Sequence, residues 1–385
     1  LNIPRYVDSS EKAESWDIYA SMFGGIPESE LAGLKLYWDA FPGLKEALFA
    51  SDNHAYCHLR AANIRAAVGE HTSVSSFVSG FNSAFSGFGE FLSHELLDGM
   101  KSLNISKEEA VLSDDIFARL ANVPLVDRYE AYQLLDENWN RIAVDLEIIQ
   151  TEGFSATRQV DPNMVIKKKD GKDQEVQEGW LGHVLPFALV QELLLPDELQ
   201  ALKDCEARIS EISGEYESLL DELSEDDKEK DFVNEGKDAF VAAEVKKAIK
   251  AKEAEPETLA VLKKVDTLIT EEKTLKKQAK DDAAALHIKT KKTIEGLDDA
   301  AVIDILRLKW IVPLTGSIET MPQTVLNDFV AKLDALCKKY ETTFAAVEEQ
   351  IKETELSLRG YIDELTGNEF DMQGLKEFKI LLGGE

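Results

Sequence analysis

Between Leu199 and Leu223, apolar residues fall at Leu202, Cys205, Ile209, Ile212, Tyr216, Leu219 and Leu223. The steps alternate between three and four, and charged residues fill the other positions. That is an a/d heptad seam, and it predicts a long helix burying a narrow stripe against another helix. Two later stretches could supply the partner. Val261, Val265, Leu268, Leu275, Ala279 and Leu286 form one stripe. Val325, Phe329, Leu333, Leu336, Tyr340, Phe344, Val347 and Ile351 form a longer, more aromatic one. If both pack on the first helix, the surface left for another subunit is the outer side of the third. Phe329, Leu333, Leu336, Tyr340, Phe344, Val347 and Ile351 are therefore candidate interface residues.

The rest of the chain is also mostly helical in pattern. Residues 1–8 read as extended, since Pro4 biases Ile3 away from helix. Residues 31–49 are apolar and aromatic, broken at Pro42-Gly43. Phe77, Phe81, Phe85, Phe88, Leu92 and Leu96 mark a helical stretch over 72–103. Ser106 and Glu109 form a capping box for a helix over 104–120. A long helix is predicted over 125–149. Met164-Val-Ile166 and Glu175-Val-Gln177 flank Lys169-Asp-Gly-Lys172, and Asp-Gly is a strong hairpin-turn signal. An exposed β-hairpin is expected near 164–177, followed by an apolar helix over 179–195. Pro196 then opens the heptad helix. Residues 224–257 read as a charged tip holding one helix near 238–253. A second long helix is expected over 257–285, and an apolar cap over 294–315 ends at Pro313. The third long helix runs from Met321 to about Tyr361. The expected fold is mainly α, with a globular helical domain (1–190) carrying one small hairpin. A long arm of antiparallel coiled-coil-like helices (191–361) and a C-terminal tail (362–385) follow.

Composition narrows the function classes. Hydrophobic residues make up 44% of the 385 residues, as in ordinary globular proteins. No apolar run approaches the roughly 20 residues of a membrane span, and no signal peptide opens the chain. The chain starts at Leu1 rather than Met, which suggests a segment of a longer protein. The net charge of −30, from 73 acidic and 43 basic residues, opposes free-standing nucleic-acid binding and anionic membranes. Cys57, Cys205 and Cys337 are odd in number and far apart, so no disulfide framework is expected and a reducing cytoplasm is the default.

Candidate chemistry is sparse. Phe85-Ser-Gly87-Phe-Gly89 superficially resembles a cofactor loop, but such a loop follows a buried strand, and the residues before it are spaced like a helix. His54, Cys57 and His58 could share a helical face, yet a zinc site needs ligands that no nearby segment supplies. Asp114-Asp115 and Glu108-Glu109 read as solvated helix faces in so acidic a chain. The phosphate loop, nucleophile elbow and zinc-protease motifs are absent. Lys167, Lys168, Lys169 and Lys172 form the most compact basic patch, placed to reach phosphate or simply solvated. Lys289, Lys291 and Lys292 form a weaker one.

Several stretches line up, in order, with one family. Asn2-Ile-Pro-Arg-Tyr-Val-Asp8, Tyr37-Trp-Asp-Ala-Phe-Pro42 with Leu48-Phe49, and Pro124-Leu-Val-Asp-Arg-Tyr129 with Tyr132 and Trp139 are three of them. Gly179-Trp180 with Val184-Leu-Pro186, Ile362-Asp-Glu-Leu-Thr-Gly-Asn-Glu-Phe370 and Leu381-Leu-Gly-Gly384 follow. The set resembles the C-terminal region of the M (modification) subunit of type I restriction–modification systems. The resemblance implies a parent that is an S-adenosylmethionine-dependent DNA adenine-N6 methyltransferase. That family's catalytic domain carries a glycine-rich cofactor motif and an Asn-Pro-Pro-Phe motif, and this chain has no Pro-Pro pair. No catalytic, cofactor or metal residue is therefore expected here. The implied partners are the specificity subunit, the other subunits of the complex, and DNA, contacted mainly through the complex.

Overall fold

A computed structural model describes residues 15–51, 55–169, 172–251 and 254–381. The Asn2–Asp8 block, His54, the Asp170-Gly171 turn and Gly383-Gly384 lie outside the described residues. The helices used below are, in chain order, α1 (Ile18–Phe23), α2 (Thr72–Ala84), α3 (Ile105–Leu120), α4 (Arg128–Glu152), α5 (Pro196–Asp221), α6 (Ala242–Ala251), α7 (Pro256–Glu295), α8 (Met321–Lys339), α9 (Phe344–Asp363) and α10 (Glu369–Leu381). The strands are β1 (Ile26–Pro27), β2 (Phe49–Ser51), β3 (Tyr56–Leu59), β4 (Val160–Lys169) and β5 (Lys172–Gly182). The fold is mainly α, as the periodicity predicts. It divides into two compact units, each discontinuous in sequence: Leu1–Phe88 with Ala110–Leu135 and Thr315–Glu385, and Gly89–Glu109 with Asp136–Leu314.

In the first unit, the apolar segment around 31–49 closes on α8. Phe329 is fully buried. Tyr37 stacks on it at 4.5 Å between ring centroids, and Trp38 meets it edge-on at 5.2 Å. Phe41, Leu44, Leu48, Val68, Phe77 and Leu333 belong to the same core. A three-stranded antiparallel sheet, ordered β1-β3-β2, covers one side of it. Sequence periodicity misses this sheet, because strands of two to four residues are too short to show alternation. The predicted 72–103 helix is interrupted after Ala84. Gly87 takes φ +74, and Arg119 donates to the carbonyls of Ala84 and Ser86 at 3.0 and 3.1 Å. The backbone groups released by the break are thereby satisfied.

The predicted third long helix is two helices. The chain breaks between Lys339 and Phe344, and Thr343 caps α9 by accepting from the Ala346 N–H at 3.1 Å. Tyr340, at the break, is buried and donates its hydroxyl to Glu30. Glu30 also accepts from Lys339 at 3.0 Å, and the Asp17 N–H donates to the Tyr340 oxygen at 3.2 Å. These bonds pin the end of α8 to Asp17 and Glu30. The C-terminal tail beyond residue 362 contains the helix α10.

In the second unit, α5 and α7 run antiparallel and form the arm. Cys205 Sγ lies 3.4 Å from the Leu275 carbonyl, and Arg208 pairs with Glu271 at 2.7 Å. Toward the tip, Ile212, Leu219, Leu223, Val261, Val265 and Leu268 share one apolar cluster with Phe232, Val233 and Val245. The first two sequence stripes therefore pair with each other. Their helices join through the predicted tip, whose Asp227 is buried among Ser224, Thr258 and Lys230. The hairpin β4–β5 is longer than predicted, and the helix expected over 179–195 begins only at Phe187. The apolar cap does not end at Pro313. A helix continues through it to Glu319 after a π-helical turn over Arg307–Ile311. Proline has no N–H for the carbonyl four residues back, so the regular bonding pattern cannot continue there. Lys309 and Trp310, on that turn, both donate to the buried Asp145, at 2.5 and 2.7 Å.

Candidate partner and nucleic-acid surfaces

The third sequence stripe has two fates. Phe329 and Leu333 are fully buried, Tyr340 nearly so, and Leu336 is half-buried, all packed within the first unit. Phe344, Val347 and Ile351 are exposed, Phe344 by 70%. On α9 the spacing continues through Thr354, Leu358 and Tyr361, every one of them exposed. Beside that stripe Ile362 is buried. The exposed stripe is thus a second a/d seam, about two turns to each heptad. Its flanking e and g positions carry Glu348, Glu355 and Glu364 and no base. The sequence signal for this division was Thr342-Thr343, a capping residue pair inside an otherwise continuous apolar period.

The hairpin lysines are spread by the strand geometry. Lys167 pairs with Glu178 at 2.8 Å, and Lys168 stands opposite Asp173 in the ladder. The side chains of Lys169 and Lys172 lie outside the described residues. At the second basic cluster, Lys289 pairs with Glu198, and Lys291 lies 3.1 Å from the centroid of the Trp180 ring. The hairpin itself is seated by His287, whose Nε2 accepts the Trp180 N–H at 2.9 Å. Gly179 makes this fit: its φ is +78, and a Cβ there would stand 2.6 Å from His287 Nε2.

Other reactive side chains are occupied. Cys57 donates to Glu28 at 3.1 Å, and burial with that carboxylate pushes its thiol up to about 11. Burial, with Asp334 and Glu341 nearby, pushes Cys337 up to about 11 as well. Both thiols stay protonated near neutral pH, the opposite of an activated nucleophile. His183 sits between Asp161, 2.5 Å from its Nδ1, and Glu152, 3.3 Å from its Nε2. The hydrogen bond to Asp161 is the main cause raising its pKa, against the opposing effect of burial. His71 caps α2 by accepting from the Ser73 N–H, and His94 lies beside Glu95.

No known family model, curated protein or solved structure matches the chain. Among the described residues, no group of three or more His, Cys, Asp or Glu is placed to hold a metal ion. No helix among them is long and apolar enough to cross a membrane.

Proposed function

We propose that the chain is the non-catalytic C-terminal region of a type I restriction–modification M subunit. It joins that subunit to the DNA-specificity subunit and helps to clamp DNA. The ordered blocks from Asn2 to Gly384 support the family. The exposed heptad seam of α9 carries the assembly role: six successive a/d positions from Phe344 to Tyr361 remain exposed, and such a seam calls for a helical partner. The acids at its flanks favour a partner helix with Lys or Arg at the facing positions. Adenine methylation, in this reading, belongs to a domain outside these 385 residues. The glycine-containing segment Phe85–Gly89 does not fit S-adenosylmethionine. It follows a helix rather than a strand, and Arg119 already donates to its Ser86 carbonyl. The hairpin lysines are a weaker route to DNA, because Lys167 is already neutralised by Glu178.

The test is co-elution of the chain with its cognate specificity subunit in size-exclusion chromatography. Wild type should co-elute, and Ile351→Asp with Leu358→Asp should not, while keeping its helical circular dichroism. No association between two folded wild-type proteins would remove the assembly role.

A further inference from the structure

The charges of α7 are sorted by face. Glu271 accepts two bonds from Arg208, at 2.7 and 3.1 Å, and Glu272 accepts from Tyr216 at 2.9 Å. Both acids are thus held by α5. A different face carries Asp266, Lys273, Lys277, Lys280, His287 and Lys291, which recur at helical spacing. That face is touched toward both of its ends, and Phe187 also packs on His287 at 4.9 Å between ring centroids. Lys246 of α6 pairs with Asp266 at 3.7 Å. Trp180 of β5 donates to His287 at 2.9 Å. Between these contacts Lys273, Lys277 and Lys280 are exposed, and none forms an ion pair among the described residues. Asp281, four residues after Lys277, forms no ion pair with it either.

From these observations we propose that this face of α7 binds the phosphate backbone of a nucleic-acid duplex. The helical rise sets Lys273 and Lys280 about 10 Å apart along the axis. Phosphates bordering a groove about 12 Å wide come within reach of two such side chains. The α6 and hairpin contacts are about 30 Å apart along α7, so the face is a saddle with raised ends. A saddle admits a rod and rejects a flat bilayer. Three uncompensated ammonium groups on one face also stand out in a chain of net charge −30, which elsewhere repels a polyanion. This deepens the clamping part of the proposed function, on which it rests, and needs no specificity subunit.

The experiment is fluorescence anisotropy of a labelled DNA duplex titrated with the full chain, between about 50 and 200 mM salt. Wild type should bind at the low end. The triple variant Lys273→Glu, Lys277→Glu, Lys280→Glu should weaken binding by about tenfold or more and lower the salt slope by about 2–3, near 0.9 per lost phosphate contact. The triple Lys→Gln variant should move both in the same direction by less. Lys264→Glu, on the opposite face, should leave affinity within about twofold. Absence of duplex binding by wild type at low salt would overturn the proposal. So would unchanged affinity in the folded triple variant, or tighter binding of polyglutamate or anionic vesicles than of duplex.

Discussion

Phe329 and Phe344 occupy one apolar period in the sequence, and the fold assigns them opposite roles. Phe329 is fully buried, with Tyr37 stacked on one side and Trp38 edge-on. Phe329→Ala should therefore cost about 3–5 kcal/mol, the range for a large buried aromatic. A unit of this size loses about 2–4 °C of melting temperature per kcal/mol, so the shift should be on the order of 10 °C. Phe344 is 70% exposed. Phe344→Ala should stay within about 0.5 kcal/mol of wild type. Urea denaturation followed by tryptophan fluorescence reports the first unit directly, since Trp38 touches Phe329. Equal destabilisation by the two substitutions would refute the division of the stripe at Thr343. A larger loss from Phe344→Ala would refute it outright.

Lys309→Met should destabilise the second unit by about 3–5 kcal/mol, because it leaves Asp145 buried without its charge partner; Lys309→Met with Asp145→Leu should recover most of the loss in urea denaturation. Glu108 is buried with one carboxylate oxygen unpartnered, and burial, then Glu95, raises its pKa. A raised carboxyl pKa costs nothing below its unfolded value, a growing amount as pH rises from there to the folded value, and a constant amount above that. Glu108→Gln should thus raise the melting temperature at pH 7 and leave it unchanged near pH 4. Gly179→Ala should break the seat of the hairpin on His287, read as faster amide exchange at Trp180; unchanged protection there would contradict the close approach.

The arm was legible because its helices are long and their seams narrow. Leu202–Leu223 and Val261–Leu286 each show enough heptads to fix helix, face and need for a partner, and the Cys205–Leu275 and Arg208–Glu271 contacts pair them. The hairpin was legible from its Asp-Gly dipeptide and flanking β-branched residues. Its full length was not, since Pro162 lies before the predicted strands and Gly179 within the helix expected over 179–195; the ladder accommodates them with an irregularity next to Pro162 and a positive φ at Gly179. The sheet formed by β1, β2 and β3 gave no local pattern, because its pairing is set by the tertiary core. Burial was the other hidden quantity. Tyr340 and Phe344 look equivalent as letters, and only the Glu30 and Lys339 side chains and the Asp17 N–H around Tyr340 decide that one is inside. The sorting of acids and lysines on α7 was hidden for the same reason, since it depends on where Arg208 and Tyr216 reach.

The assembly role is tested most directly by amide hydrogen exchange on the chain, alone and mixed with its cognate specificity subunit. The account predicts new protection concentrated in residues 344–365, abolished by Ile351→Asp with Leu358→Asp. A complex that forms without protecting that stretch would contradict it.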